Sequence, residues 1–193
     1  MRDMAIPCPH ATVGFMKAKA AIHNLIVAAL LPIFLGLSPV QAQTADLDSL
    51  FQDLATADAP AAARIERRIW REWSKSGSAA MDLLLERGRE AMMADDFDAA
   101  IEHFTALIDH APDFAEGWNA RATAYFQVGE YGPAVADILQ VLRLNPRHFG
   151  AMAGFGRILE ETDRPDEALA VYRAALAIHP NLKGIGEAAN RLQ

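Results

Sequence analysis

The feature that most constrains the fold of this chain is a repeat with a period of 34 residues. Pro112, Pro146 and Pro180 stand at this spacing. Three more columns keep it, namely Gly88, Ala122 and Gly156, then Ala100, Ala134 and Ala168, then Phe104, Ile138 and Tyr172. Self-similarity at one fixed period is the sequence signature of a solenoid. The chain therefore contains three consecutive blocks, residues 81–114, 115–148 and 149–182.

Each column has a physical explanation. Small residues at places 8 and 20 of a block allow the two helices of a hairpin to approach closely, and the large residue at place 24 fills the space beside that contact. A proline directly after an apolar run ends the second helix, because proline has a fixed φ and no N–H to donate. In the middle block we expect Ala134 at the helix contact and Asp137 on the outer surface. Each block thus predicts an antiparallel helical hairpin.

The three blocks resemble the tetratricopeptide repeat family. The middle block carries Trp118, Tyr125, Ala134 and Pro146 at the W, Y, A and P places of the family motif. It departs from the motif at Arg121, where Leu is preferred, and at Ile138, where Phe is preferred. The resemblance covers 102 of the 193 residues. It implies an all-α fold, a right-handed superhelical array of antiparallel helical hairpins, and a family of binding scaffolds with many unrelated partners.

Two flanking segments keep a helical spacing without the repeat columns. The apolar runs are Leu47, Leu50, Phe51 and Leu54 after a candidate N-cap at Asp46, and Ile65, Ile69, Trp70 and Trp73 after the breaker at residues 58–60. They predict that residues 43–80 form a hairpin whose apolar side caps the first block, with residues 74–78 as the turn into it. The alternative for the two tryptophans is an exposed aromatic partner site. At the other end, Ile185, Ala188, Ala189 and Leu192 predict a C-terminal capping helix within residues 183–193.

Residues 1–42 follow the three-part plan of a secretory signal peptide. Lys17 and Lys19 precede an apolar run over residues 25–37. Val40-Gln41-Ala42 then places small residues at the positions that a signal peptidase recognises. The run is shorter than the ~20 residues that span a bilayer. We therefore predict cleavage after Ala42 and a periplasmic or secreted protein without stable membrane insertion. An uncleaved anchor is the alternative, and the start of translation at Met1, Met4 or Met16 is open.

Loss of the signal would change the charge and the thiol content. The net charge would move from −7 to −9, because three of the 18 basic residues and one of the 25 acidic residues lie in residues 1–42. An acidic surface without a basic stripe repels polyphosphate, so we expect no nucleic-acid partner. The only cysteine of the sequence, Cys8, would leave with the signal. The mature chain would therefore have no thiol for a disulfide, a metal or a haem.

Candidate catalytic and metal-binding groups are sparse. The four histidines after the signal, His103, His110, His148 and His179, lack metal-ligand spacing, and we expect them to be solvated. The carboxylate pairs at residues 95–96 and 160–161 fit a turn with an N-cap and a solvated helix end, rather than an acid–base pair. The sequence has no G-x-S-x-G motif and no Gly-rich phosphate loop. It predicts no enzyme activity, no cofactor and no metal site.

The resemblance also implies a concave groove, lined by side chains at places 2, 5, 9, 12 and 13 of each first helix. The candidate partner-binding residues are Leu85, Arg89, Met92, Met93, Asn119, Thr123, Phe126, Gln127, Arg157 and Glu160. Arg89 and Arg157 hold equivalent places with Asn119 between them, which suits an acidic segment or a C-terminus, since a guanidinium offers paired donors. The alternative is that each arginine pairs with a nearby acid such as Glu86 or Glu160.

These observations predict a non-catalytic protein–protein interaction scaffold of the cell envelope that binds a peptide or partner protein in its groove. Members of the family that bind chaperone tails use Lys and Asn at places 5 and 9, where this chain has Leu85 and Arg89, so that activity is not expected. The alternatives are a permanent subunit of an envelope-assembly complex or homodimer, and an enzyme with an unrecognised site. The sequence does not identify the partner.

Overall fold

The computed structural model describes residues 39–193, and their side chains from Asp46 onward. Over this range the chain forms nine α-helices and no strand. The helices are α1 Pro39–Thr56, α2 Ala59–Trp73, α3 Ala79–Met93, α4 Phe97–His110, α5 Ala115–Gln127, α6 Tyr131–Leu144, α7 Phe149–Glu161, α8 Pro165–Ile178 and α9 Ile185–Arg191. The histidines, lysines and cysteine of residues 1–38, and the apolar run of the predicted signal, lie outside the described residues.

Helices α3 to α8 pack as three successive hairpins, repeats 1 to 3. Each first helix lies against its own second helix, and α4 and α6 also contact the next hairpin. The predicted all-α array is confirmed. Place 8 explains the close approach within a hairpin, because a Cβ atom added to Gly88 or Gly156 would overlap the ring of Phe104 or Tyr172 at place 24. The alanines of place 20, including Ala134, are fully buried.

The turn inside each hairpin has one backbone feature in common. Asp95, Gly129 and Asp163, all at place 15, adopt a positive φ of 57°, 78° and 58°. This left-handed conformation closes the first helix and is costly for most side chains, but Gly and Asp tolerate it. In repeat 1 the next residue, Asp96, then caps α4 by accepting a hydrogen bond from the Ala99 N–H at 3.1 Å. The prediction of a turn and an N-cap at residues 95–96 is confirmed.

The N-terminal hairpin forms as predicted, but it lies in an unexpected place. Its apolar residues do not cap repeat 1. They form a cluster with Phe149, Ile178 and Leu182 of repeat 3 and the segment after it. Asp58 caps α2 by accepting from the Ala61 N–H. The N-cap predicted at Asp46 is wrong, because α1 begins at Pro39 and Asp46 lies within it.

The C-terminal helix α9 covers the open end of the array. Ile185, Ala188 and Ala189 are buried against Ala168 and Tyr172 of α8. A terminal unit of this kind supplies the contact that a following repeat would otherwise make. Gly184, just before it, has a φ of 76°, so the chain turns into α9 through a left-handed residue.

Asp137 is not on the outer surface, which corrects the expectation for α6. Its side chain is 5% exposed and pairs with Arg121, the residue that replaces the motif's Leu on α5. The charge on Arg121 explains the difference, because a buried guanidinium needs a carboxylate nearby. None of the described helices combines the length and apolar character needed to cross a bilayer.

Candidate functional site

Two neighbouring pockets open along the concave face formed by α3, α5 and α7. One, of about 370 Å³, lies between α3 and α5, and the other, of about 300 Å³, lies between α5 and α7. Asn119 and Thr123 line both pockets, so the two form one continuous depression. We call the side chains of α3, α5 and α7 that line it the groove strip. They include Arg89, Met92, Met93, Asn119, Thr123, Phe126, Gln127 and Arg157.

Two of the residues predicted for the groove do not line it. Leu85 is buried in the core between α3, α4 and α5. Glu160 is turned to α8 and α9, where it accepts hydrogen bonds from the Tyr172 hydroxyl at 2.5 Å and from Arg191 at 3.3 Å. Both were assigned from the place they hold in a block. A side chain at that place reaches the groove only if no neighbouring helix covers or binds it.

The two arginines of the groove strip are not equivalent. Arg89 donates to the buried carboxylate of Glu116 at 2.6 Å and to the Ser74 hydroxyl at 3.1 Å. Arg157 is exposed and forms no ion pair with any side chain of the described range. The predicted matched pair of guanidiniums is therefore wrong, since Arg89 is bound to an acid from the next repeat. That acid is Glu116, a residue that sequence reasoning did not single out for this role.

Glu116 is the centre of a buried polar network. It accepts from Arg89, from the Asn119 amide at 3.3 Å and from the Nε2 of His148 at 3.4 Å. The Nδ1 of His148 accepts from the Ala151 backbone N–H at 3.0 Å, so the hydrogen of the neutral ring is on Nε2. His148 thus caps α7 and joins repeats 2 and 3. The network fixes the middle of the groove strip without offering a free acid–base pair.

The histidine prediction was wrong for two of the four residues. His148 and His179 are buried, because α2 lies over them, whereas His103 is half-buried and His110 is exposed. His148 stands directly before α7, which is a position for capping that the sequence indicates, whereas His179 directly follows the end of α8. In the described part of the chain, no three His, Cys, Asp or Glu side chains converge as a metal site would require.

The groove strip has different chemistry at its two ends. Met92 and Met93 form an apolar end, and Met93 is 79% exposed. At the other end Arg157, Lys183 and Trp70 of α2 line the same pocket. The polar residues Asn119 and Thr123 lie between. This arrangement can hold an extended segment with an apolar group at one end and a negative charge at the other.

The comparisons with known proteins match this architecture. A family model described as the tetratricopeptide repeat matches residues 85–132 and 119–182. The chain belongs to the tetratricopeptide repeat family. Among tetratricopeptide repeat proteins, a TPR repeat-containing protein of Rhizobium etli is 36% identical over 147 residues, which are 76% of this chain and 72% of that protein. The small glutamine-rich tetratricopeptide repeat-containing protein 2 of Mycosarcoma maydis is 29% identical over 53% of this chain, but only 29% of its own length is covered.

Solved tetratricopeptide repeat structures share the fold at lower identity. The first TPR of Spaghetti (RPAP3) bound to an HSP90 peptide has a TM-score of 0.56 at 23% identity, over 58% of this chain and 89% of that chain. The TPR2B domain of yeast Sti1 in complex with pHsp70 has a TM-score of 0.57 at 20% identity, over 60% and 97%. A Thermobaculum terrenum O-GlcNAc transferase mutant has a TM-score of 0.56 at 19% identity, over 59% and 22%. The tetratricopeptide repeat fold therefore occurs both in separate domains and as part of an enzyme.

Proposed function

We propose that this tetratricopeptide repeat protein is a non-catalytic interaction scaffold that binds an extended segment of a partner protein in the groove strip. The continuity of the two pockets through Asn119 and Thr123 carries the proposal. A continuous depression over three helices has room for several residues of an extended chain. The solved domains of Spaghetti and Sti1 with bound HSP90 and pHsp70 partners support the same use of the fold.

The ligand would pair an acidic group with an apolar side chain. Arg157 and Lys183 are exposed cations on a chain whose net charge is −7, so they form a local positive site on an acidic molecule. The guanidinium of Arg157 offers paired donors to a carboxylate. Met92 and Met93 offer a flexible, polarisable apolar contact at the other end. Between them, the hydroxyl of Thr123 can accept a backbone N–H of the ligand.

The chaperone tails bound by those relatives are not the proposed ligands. Place 5 of repeat 1 is Leu85, which is buried, and place 9 is Arg89, which is held by Glu116. The positive end of this groove lies instead at repeat 3. We propose an acidic partner segment of a different sequence.

The binding test uses a displayed library of random 12-residue peptides, selected on the wild-type chain. The selected peptides should combine Asp or Glu with an apolar residue. The Arg157→Ala, Lys183→Ala double variant should bind them at least about tenfold more weakly, because a charge-assisted hydrogen bond contributes roughly 1.5–3 kcal/mol. Arg173→Ala removes an exposed arginine of α8 and serves as the control. Equal affinity for the double variant and the control would contradict the groove assignment.

We also propose that the chain is exported and that its mature form begins at Gln43. The support is the pattern of residues 1–42, with Lys17, Lys19 and Val40-Gln41-Ala42. Helix α1 runs through this boundary, and cleavage there would remove only residues 39–42 from it. Among the side chains that the structure describes, the apolar residues that pack on repeat 3 start at Leu47 and would all remain. Intact-mass analysis of the protein from its host should give the mass of residues 43–193, and a mass that includes residues 1–42 would refute cleavage.

A further inference from the structure

The surface formed by the start of α7 and the end of α8 already carries a helix, and that helix is α2 of the same chain. The indole of Trp73 stacks on His148 with the ring centroids 4.3 Å apart and an interplanar angle of 17°. Trp70 meets Phe149 edge to face at 5.8 Å and covers Gly150, where an added Cβ atom would lie 2.6 Å from the indole. The glycine therefore makes room for an aromatic ring. Two tryptophans three residues apart on one helix face fill this surface.

Polar contacts fix the direction of α2 on the surface. Glu66, one turn before Trp70, has one carboxylate oxygen 3.4 Å from the Nε2 of His179. Its other oxygen accepts from the Trp70 indole N–H at 3.3 Å. The residues of α2 that contact repeat 3 thus include a carboxylate at Glu66, an aromatic residue four places later at Trp70, and a second aromatic residue three places after that at Trp73. A helix with the reverse order would place its carboxylate away from His179.

The N-terminal hairpin has few ties to the repeat that follows it in sequence. In the described chain, the apolar core around α3 and α4 includes no residue of α1 or α2. The connection is the short segment 74–78, in which Gly77 has a φ of 82°. Its main anchors are hydrogen bonds from Ser76 to Asp82 and from Arg89 to Ser74, at the joint itself. The hairpin can therefore leave repeat 3 by rotation at this joint without unpacking repeat 1.

One contact of the docked hairpin is unfavourable. The Nδ1 of His179 is buried without a hydrogen-bond partner. An unsatisfied buried polar atom opposes the docked state, because water would reach it when α2 moves away. The ion pair of Arg147 with Asp48 joins α1 to the start of repeat 3. Both of its side chains are exposed, so it adds little to the stability of the docked state. Docking is held by the apolar cluster around Leu50, Leu54 and Ile69 together with the ring contacts of Trp70 and Trp73. Another helix with the same pattern as α2 can reproduce the ring contacts.

We propose that the surface at the start of α7 and the end of α8 is a second protein-binding surface, from which a partner can displace α2. The surface consists of His148, Phe149, Gly150, His179 and Leu182. The partner is a protein that presents an amphipathic helix with a carboxylate one turn before two aromatic residues spaced three apart. This surface adjoins the positive end at Arg157, because Trp70, Gly150 and Leu182 line the same pocket as Arg157. The inference nevertheless does not depend on peptide binding in the groove strip.

The test supplies the hairpin from outside. The probe is a fluorescently labelled synthetic peptide of residues 46–76, and its anisotropy is measured with the full chain. The wild-type chain should bind it weakly, because the tethered hairpin occupies the surface. The full chain with Trp70→Ala and Trp73→Ala should bind it at least tenfold more tightly. Adding Gly150→Ala to that variant should abolish the gain, since the new methyl group occupies the position of the incoming indole.

Several outcomes would overturn the proposal. These are equal affinity of the probe for wild type and the double variant, no binding by the double variant, and unchanged binding after Gly150→Ala. A probe that carries the same two alanines should not bind, and binding by it would also refute the role of the tryptophans. If the wild-type chain is a dimer that exchanges hairpins between copies, the resident belongs to a second copy and the proposal is wrong as stated.

A second measurement needs no substitution, so it remains decisive if the double variant does not fold. Hydrogen exchange of the wild-type chain should show that the amides of α1 and α2 exchange together, at least tenfold faster than those of α5 and α7. Partial opening at the joint predicts this difference, because opening exposes the hairpin while the repeats remain packed. Equal protection of the hairpin and the repeats would show that the hairpin is not displaceable.

Discussion

Arg121 and Asp137 form a bidentate ion pair that joins α5 to α6 inside repeat 2. The two nitrogen–oxygen distances are 2.8 and 2.9 Å, and Thr105 of repeat 1 accepts a third hydrogen bond from Arg121 at 3.0 Å. The hydrogen bond to Asp137 is the main reason that the pKa of Arg121 lies above its ordinary value. The pair thus replaces, with two linked charges, the apolar contact that the family motif makes through Leu.

The first prediction concerns this pair. Asp137→Ala leaves Arg121, which is 15% exposed, without its carboxylate, and should lower the free energy of unfolding by about 3 kcal/mol. The double variant Arg121→Leu, Asp137→Leu restores an apolar contact and should recover most of that loss. Urea denaturation measures both. Glu167→Ala, in the exposed pair with Arg164, is the control, and a loss at Asp137 no larger than at Glu167 would contradict the buried role of the pair.

The second prediction concerns the helix contact at place 20. Ala134 is fully buried, so Ala134→Leu overpacks repeat 2 and should cost about 1 to 3 kcal/mol. Ala136→Leu, on the exposed side of the same helix, makes the same chemical change and should cost far less. Thermal melts compare the two variants. Equal melting temperatures for the two variants would contradict the close approach of α5 and α6 at Ala134.

The third prediction uses two glycines of α7. A Cβ atom at Gly156 would overlap the Tyr172 ring, whereas at Gly154 the nearest atom belongs to Ile138 at 3.9 Å. Gly156→Ala should therefore lower the free energy of unfolding by about 1 to 3 kcal/mol. Gly154→Ala should raise it by roughly 0.5 to 1 kcal/mol, because alanine favours the helix. Urea denaturation of the two variants should show changes in the free energy of unfolding that have opposite signs. Changes of the same sign would contradict the contact between Gly156 at place 8 and Tyr172.

The fourth prediction concerns alkaline pH. Burial, and then the hydrogen bond to Glu160, raise the pKa of Tyr172 in the folded protein. The unfolded chain ionises at about pH 10 while the folded chain keeps its proton, so this contribution to stability is present below about pH 10 and is lost above it. Stability should therefore fall more steeply above that pH in wild type than in Tyr172→Phe. Denaturation at several pH values measures the slope, with Tyr131→Phe as the control, and equal slopes in wild type and Tyr172→Phe would contradict the shift.

The sequence predicts the array because its contacts are local and periodic. Gly156 and Tyr172 lie in the same block, so their spacing alone indicates that they meet. The turn at place 15 was harder to recognise, since Asp95, Gly129 and Asp163 share a backbone conformation and not a residue type. Local spacing shows which residues belong to one helix face, and it does not show which distant helix covers that face.

The errors about the site have this physical cause. Nothing in the periodicity places α2 against repeat 3, because that contact depends on the shapes of Trp70, Trp73 and the space above Gly150. His148 and His179 were expected in water since the helix that buries them is about a hundred residues away in sequence. Arg89 was assigned to a ligand because Glu116, from the next repeat, was not expected to reach it.

The hairpin also changes how the chain is connected as a whole. A repeat array normally links each unit only to its neighbours, so units can be added or lost almost independently. Here Asp48 bonds to Arg147, 99 residues away, and Ala57 accepts a hydrogen bond from Asn181, 124 residues away. These contacts join the first helices to the last repeat and turn a linear series into a closed ring. Removal of repeat 3 would leave the hairpin without a surface to cover, so the order of the first two helices depends on the last repeat.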